Sequence, residues 1–325
     1  MFSFDKLTES DIKRVNEILY STLEGNTIEK HVNDMCMHVI AAGGKRIRPK
    51  LAVLTAHLLS SFSNSEEDRE HLAKCAAAVE YLHTASLIHD DVIDKATLRR
   101  GKPTLNETDG NHAAVLAGDY MFTRCFVTLH GLESVELLGI VNETLSALIA
   151  GELNQLKKVG DQNITVADYR QTVFSKTGAL FVLATKAFAV IKKESPEVIR
   201  ALSVFGEELG IGFQVMDDIL DYSSSSADMG KPTGEDLEDQ RITLPLIFAL
   251  KDTSGEHKEQ LSQAISDNNL EQVNKFLQKT EALEKCRLYA QEAVRKAKKA
   301  LEIFPDSEYR QALYDLADAA ISRDR

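Results

Sequence analysis

Two short acidic clusters carry the strongest chemical signal in this chain. Leu87-Ile88-His89 leads into Asp90-Asp91-Val92-Ile93-Asp94, and Val215-Met216 leads into Asp217-Asp218-Ile219-Leu220-Asp221. On an α-helix, residues four apart differ by about 40° in azimuth, so Asp90 with Asp94, and Asp217 with Asp221, project from one face about a turn apart. Like charges at that spacing cost a helix a few tenths of a kcal/mol (~0.2–0.5), and aspartate is a poor helix former, so both clusters call for compensating cations. Magnesium takes hard oxygen ligands and is commonly held by one or two carboxylates plus substrate phosphates, which suits two sparse carboxylate faces. A lone Asp-Asp pair is more often a solvated helix end; repetition of the whole pattern favours the metal reading. Zinc fits less well, because structural zinc wants Cys and His and only His83 and His89 lie near the first cluster. Each of those histidines is, by itself, more ordinary as a packed core residue.

Basic residues stand where phosphates would be needed. Gly43-Gly44-Lys45-Arg46-Ile47-Arg48-Pro49-Lys50 holds four positive charges in eight residues, and Arg99-Arg100-Gly101-Lys102-Pro103-Thr104 follows closely on Asp94. Guanidinium forks grip phosphate oxygens in pairs, and glycines let backbone approach a ligand closely. Gly-Gly-Lys lacks the spacing of a P-loop. Each run alone is most simply a solvated surface, but together with the aspartates they point to a diphosphate substrate.

The elements that must position these groups are helical. Val53-Leu54-His57-Leu58, Leu138-Val141-Leu145-Leu148 and Val182-Leu183-Phe188-Ile191 repeat apolar residues at three- and four-residue spacing. Ser195-Pro196-Glu197 and Thr165 through Asp168 read as helix starts, and Pro245 follows Thr243-Leu244 in the same sense. About ten or more helices are expected, with no alternating strands, in one all-α domain spanning residues 1–325. The clearest non-helical stretch runs from Tyr222 to about Arg241, a linker or a lid containing Ser223-Ser224-Ser225-Ser226 and Gly230-Lys231-Pro232-Thr233-Gly234.

Composition narrows the class further. With 38 basic against 50 acidic residues and a net charge of −12, sequence-independent binding to nucleic acid is disfavoured, so no nucleic-acid partner is expected. Cys36, Cys75, Cys125 and Cys286 form no CxxC pair, so neither a zinc site nor a secreted disulfide framework is indicated and a reducing cytoplasm is the simplest home. No signal peptide and no integral membrane segment are read from the chain.

The glycine-lysine-arginine run at 43–49, the first aspartate motif with Arg99-Arg100-Gly101, Lys176-Thr177-Gly178, Gly212-Phe213-Gln214 through Asp221, and Gly230 through Leu237 together resemble the trans-isoprenyl diphosphate synthases, in that family's order over about residues 43–245. The resemblance is greatest to long-chain, octaprenyl-type members. It implies an isoprenoid-synthase fold, all-α around a central cavity, usually a homodimer. It also implies a magnesium-dependent enzyme in which three ions bridge the two aspartate-rich helices through the diphosphate of an allylic substrate. By the same resemblance Asp90, Asp94 and Asp217 are the most direct metal ligands, with Asp91, Asp218 and Asp221 supporting or coordinating through water. Lys45, Arg48, His83 and Arg100 would hold isopentenyl diphosphate; Arg99, Lys176 and Lys231 would hold the allylic diphosphate; Thr177 and Gln214 would sit beside the forming cation. Where the family often reads Gly-Lys-x-Thr-Leu-Pro, this chain has Gln240-Arg241-Ile242-Thr243-Leu244-Pro245, so Arg241 keeps the charge.

The implied chemistry is ionisation, condensation and proton loss, with electrostatic stabilisation of the leaving diphosphate and the released diphosphate as proton acceptor. Product length should depend on the helix upstream of Asp90. Ala85 and Ser86 are small there, whereas short-chain members of the family carry bulky aromatics near these positions. Tyr81 and Leu82 deeper on that helix, and Met121, Phe122 and Phe126 on another, are floor candidates that read equally well as ordinary core. The stretch Glu80 through His89 is similar to long-chain synthases, so a product of roughly thirty to fifty carbons is expected from the resemblance, with a farnesyl or geranylgeranyl synthase as the alternative. A terpene cyclase would not need the basic residues around Lys45 and Arg100, and a non-catalytic or partner-dependent subunit of a heteromeric synthase would typically lack the aspartates. Glu80-x-x-His83 has di-iron spacing, but no second Glu-x-x-His is suitably placed. Peripheral membrane association during product release stays open.

Overall fold

The computed structural model of the chain describes residues 3–24, 27–223 and 234–322. Among the described residues there are sixteen α-helical segments and one two-residue hairpin, Leu98–Arg99 (β1) with Lys102–Pro103 (β2). The helical expectation holds, and the hairpin is a departure made by its turn. Arg100 and Gly101 both take positive φ, 54° and 73°, the paired left-handed geometry of the tightest hairpin loops.

The helices that matter for the site are α1 (Ser3–Ser21), α2 (Lys30–Ala41), α3 (Ile47–Ala56), α4 (Glu66–Ile93), α5 (Leu105–Thr108), α6 (Asn111–His130) and α7 (Val135–Lys157), then α8 (Val166–Val173), α9 (Ala179–Ile191), α10 (Pro196–Ser223) and α11 (Glu235–Glu238). A π-turn, Phe174–Gly178, joins α8 to α9. Helix starts follow local chemistry. Ser65 accepts a hydrogen bond from the Asp68 N–H ahead of three acids in the first turn of α4, where the helix dipole favours negative charge. Thr165 and Asp168 form a reciprocal capping box at α8, as expected from the sequence. Helix α10 includes Tyr222 and Ser223, and Glu235–Glu238 form α11, so the stretch expected to be non-helical from Tyr222 to about Arg241 is helical at these positions; residues 224–233 lie outside the described residues.

The chain forms two compact units. Residues 1–145, 180–203 and 301–315 make the first, and 146–179, 204–300 and 316–325 the second. Because each is assembled from three interleaved segments, no single point in the sequence could mark a boundary between them. In the first unit α4 packs along α6, α3 and α1. Ala73, Ala76, Ala77, Ala78 and Ala85 are buried on α4, and such small side chains permit close helix approach. The second unit has its own core around Tyr169, Ile211, Val215, Ile219, Leu244 and Ala290. Residues Val166–Ile191 are long and apolar enough to cross a membrane by length and composition alone, but they are mostly buried in protein.

Candidate active site

In the first unit, the C-terminal end of α4 sorts its three aspartates by exposure. Asp91 is buried, and its Oδ1 accepts from Arg99 Nε at 2.7 Å. Asp90 is half-buried and Asp94 exposed. The tight hairpin explains why Arg99 reaches back, since β1 starts only five residues after α4 ends.

The same unit gathers most of the basic residues expected to bind diphosphate. A cleft is lined by Arg46, Glu80, His83, Asp91, Arg99, Arg100 and Lys102, among others. Arg48 Nη1 lies 3.1 Å from His83 Nε2, and the Arg48 guanidinium sits over the Phe181 ring at 4.9 Å. Arginine can only donate, so His83 Nε2 is the acceptor and the ring is neutral. Burial, then the charges of Arg48, Arg100, Arg99 and Arg46, hold His83 well below the ordinary histidine range. Gly44 lies against the Arg100 guanidinium, whose Nη1 would stand 2.7 Å from a Cβ at that position. Lys45 is exposed on the same loop.

The second unit presents the second motif in the same way. Asp218 is buried; its Oδ2 accepts from the Tyr169 hydroxyl at 2.5 Å and its Oδ1 from Gln214 Nε2 at 3.0 Å. Burial pushes its carboxyl up to about 7, those two donors opposing the shift and the charges of Asp217 and Asp221 adding to it. Gln214 Oε1 in turn accepts from Thr177 Oγ1 at 2.9 Å. Asp217 is half-buried. Asp221 is committed to backbone: its Oδ1 accepts from Gly234 N and Glu235 N, and its Oδ2 from Asp236 N, each at 3.1 Å. The carboxylate thereby satisfies N–H groups that the short α11 leaves unpaired.

Lys176 lies in the π-turn and pairs with Glu152 Oε2 at 2.6 Å. A Cβ at Gly151 would stand 2.4 Å from Ser175 Cβ, so α7 and the π-turn meet across a glycine. Arg241 pairs with Asp239 at 3.1 Å and more loosely with Asp236 at 4.0 Å. Lys231 lies outside the described residues.

The chain-length candidates separate. Tyr81 is fully buried and its hydroxyl donates to Leu19 O at 2.8 Å, which ties it to α1. Leu82 and Ala85 are fully buried. Ser86 is half-exposed, donating to His83 O at 2.9 Å, and Phe122 is half-buried with its ring 5.4 Å from His89. His89 crosses α6 at Gly118, where a Cβ would meet Nε2 at 2.3 Å.

Four residues that touch these groups carried no site reading in the sequence. Tyr169, Glu152 and Arg46 lie far from their partners in the chain or inside an ordinary basic run, and Glu80 stood out only through a spacing that suits another metal. Among the described residues, no three His, Cys, Asp or Glu side chains converge as a ready-made metal ligand set. The donors still fit a hard cation that takes its other ligands from phosphate and water, because Asp90, Asp94 and Asp217 are carboxylates left partly open to solvent.

The family model described as Polyprenyl synthetase matches residues 29–283. The chain is 36% identical to octaprenyl diphosphate synthase of Escherichia coli (strain K12), covering 99% of this chain and 98% of that protein. A solved decaprenyl diphosphate synthase from Rhodobacter capsulatus superposes with a TM-score of 0.91 at 32% identity, covering 99% and 98% of the two chains. A polyprenyl synthase from Caulobacter crescentus CB15, solved with calcium and isoprenyl diphosphate, gives 0.89 at 34% identity with the same coverage.

Proposed function

The chain belongs to the polyprenyl synthetase family, and from that premise we propose that it is a prenyltransferase condensing isopentenyl diphosphate with an allylic diphosphate into a long-chain all-trans polyprenyl diphosphate. One observation carries the reading. In both Asp-Asp-x-x-Asp motifs the second aspartate is buried and held by protein donors, while the first stands at least partly open to solvent. Buried second aspartates fix this part of each helix, and the half-buried first ones keep solvent-facing surface at which cations would bind.

Magnesium, three ions when diphosphate is bound, would supply charge neutralisation for the departing diphosphate. Asp90, Asp94 and Asp217 would hold those ions, with Asp91, Asp218 and Asp221 acting mainly as anchors. Lys176 and Arg99 would grip the allylic diphosphate, and Lys231 is assigned the same role. Lys45, Arg48, His83 and Arg100 would orient isopentenyl diphosphate; Arg48 and Arg100 supply charge, and neutral His83 offers a hydrogen bond without a further cation. Thr177 and Gln214, already hydrogen-bonded to one another, would stand beside the allylic cation as dipoles. Once the new carbon–carbon bond forms, the proton lost from the isopentenyl carbon goes to the released diphosphate.

The unit acting in solution would be a homodimer, an assignment supported by exposed apolar side chains on α6 (Leu116, Val127) and α7 (Ile149, Leu153, Leu156). The enzyme would work in the cytoplasm, peripheral to a membrane during product release. Diphosphate release tests the reaction: it should require magnesium, isopentenyl diphosphate and an allylic diphosphate together. Release from the allylic diphosphate alone, unaffected by isopentenyl diphosphate, would indicate ionisation without condensation.

A further inference from the structure

The basic cleft of the first unit contains a buried ion pair that none of the binding roles above uses. Arg46 Nη1 meets Glu80 Oε1 at 2.5 Å with both side chains almost wholly buried, and Arg46 Nη2 donates to Ile40 O at 2.9 Å. Arg46 takes left-handed backbone, φ 50°, which a side-chain-bearing residue adopts at a cost of about 1 kcal/mol or more unless it is held there. It is also the residue from which α3 starts, and Arg48 follows in the first turn of that helix. Two residues before it, Gly44 lies against the guanidinium of Arg100. The centre of the loop is thus clamped from α2 and from α4, while its two flanks carry Arg48 and the seat of Arg100. On α4, His83 follows Glu80 by three residues and so lies on the same side of the helix.

Resting on the reading of this cleft as the isopentenyl diphosphate site, we propose that Glu80 and Arg46 are positioning residues whose ion pair locks loop 43–46 and the start of α3 to α4, so that Arg48, His83 and Arg100 converge on one diphosphate. The charges in the cleft divide accordingly. Glu80 engages Arg46 and Asp91 engages Arg99, whereas Arg100 has no carboxylate within ion-pair distance among the described residues. Two carboxylates among the lining cations let the cleft stay assembled before the anion arrives. The Glu80-x-x-His83 spacing then has a cause other than metal: one residue sets the loop, and the next turn supplies a ligand-facing ring.

Steady-state kinetics of Glu80→Gln, Glu80→Asp and the double variant Glu80→Gln/Arg46→Gln test the pairing. The double variant leaves no unpaired buried charge and guards against a single variant that fails to fold. In the folded variants lacking the pair, the KM for isopentenyl diphosphate should rise about 10- to 100-fold, the penalty expected for misplaced binding groups. The KM for the allylic diphosphate should stay within about twofold, and Glu80→Asp, which keeps the charge on a shorter arm, should fall between. An unchanged KM for isopentenyl diphosphate in the folded double variant, or an equal rise for both substrates, would overturn the proposal. Titration calorimetry with isopentenyl diphosphate separates the two levels. If the wild-type protein does not bind it, the reading of the cleft fails and the proposal with it; if it binds and the double variant binds equally well, only the positioning role fails.

Discussion

Replacing Tyr169 with Phe removes one oxygen from a buried site and leaves Asp218 Oδ2 without its 2.5 Å donor. The size of the effect depends on the charge of Asp218. Its pKa is raised from 3.8 to about 7, chiefly by burial, so in the metal-free protein it is largely ionised at pH 8 and largely protonated at pH 5.5. A hydrogen bond to an ionised group contributes about 1.5–3 kcal/mol, and one between neutral groups about 0.5–1.5 kcal/mol. Tyr169→Phe should therefore cost about 1.5–3 kcal/mol at pH 8 and about half that at pH 5.5. The sign for the wild-type protein follows from linkage. A carboxyl whose folded pKa lies above its unfolded value contributes stability that is fully present below pH ~4 and lost as pH rises through ~7, and deleting Tyr169 widens that gap. Urea unfolding with a chelator present, followed by circular dichroism at both pH values, gives the two differences. Equal losses at pH 8 and pH 5.5, or no loss at pH 8, would refute the assignment of the Tyr169 hydroxyl as donor to a charged Asp218.

Asp90→Ala and Asp217→Ala should each lower kcat by about 100- to 1,000-fold, the scale seen when one preorganised stabilising group is removed. Neither should lower the unfolding midpoint of the metal-free protein, because each relieves repulsion within an acidic cluster; loss of folding with normal activity in the native fraction would contradict the site. Ala85→Phe should shorten the product, read by sizing dephosphorylated prenols, and an unchanged length would mean that the chain runs past another face of α4. His83 should stay neutral well below pH 6.5 while the cleft is empty, because burial and four arginines oppose its charge. An imidazole resonance of His83 that titrates with a midpoint near 6.5 would contradict that placement.

What the sequence made legible is what local pattern can encode. The aspartate pentads declared themselves because residue type, four-residue spacing and repetition together are rare, and helical periodicity with Pro and Ser or Thr starts gave the fold class. The capping box at Thr165 was readable for the same reason, since both partners lie within one turn. Tyr169 was not readable as a partner of Asp218, and Glu152 was not readable as a partner of Lys176, because those pairs exist only after α8, the π-turn, α7 and α10 have packed. The left-handed turn at Arg46 gave no signal because glycine, its usual mark, stands at 43 and 44 instead. Of the chain-length candidates, Tyr81 also has its hydroxyl bonded to the backbone of α1, a contact between distant segments that no local pattern encodes.

Long-chain synthesis is read from the size of the product. The purified protein is incubated with magnesium, labelled isopentenyl diphosphate and, in separate reactions, ten-, fifteen- and twenty-carbon allylic diphosphates, and the products are sized after phosphate removal. Magnesium-dependent ladders that end between about thirty and fifty carbons are expected from any primer accepted, given roughly one helical turn of path for each isoprene unit added. Products that stop at fifteen or twenty carbons, or cyclic hydrocarbons released without consumption of isopentenyl diphosphate, would contradict long-chain synthesis.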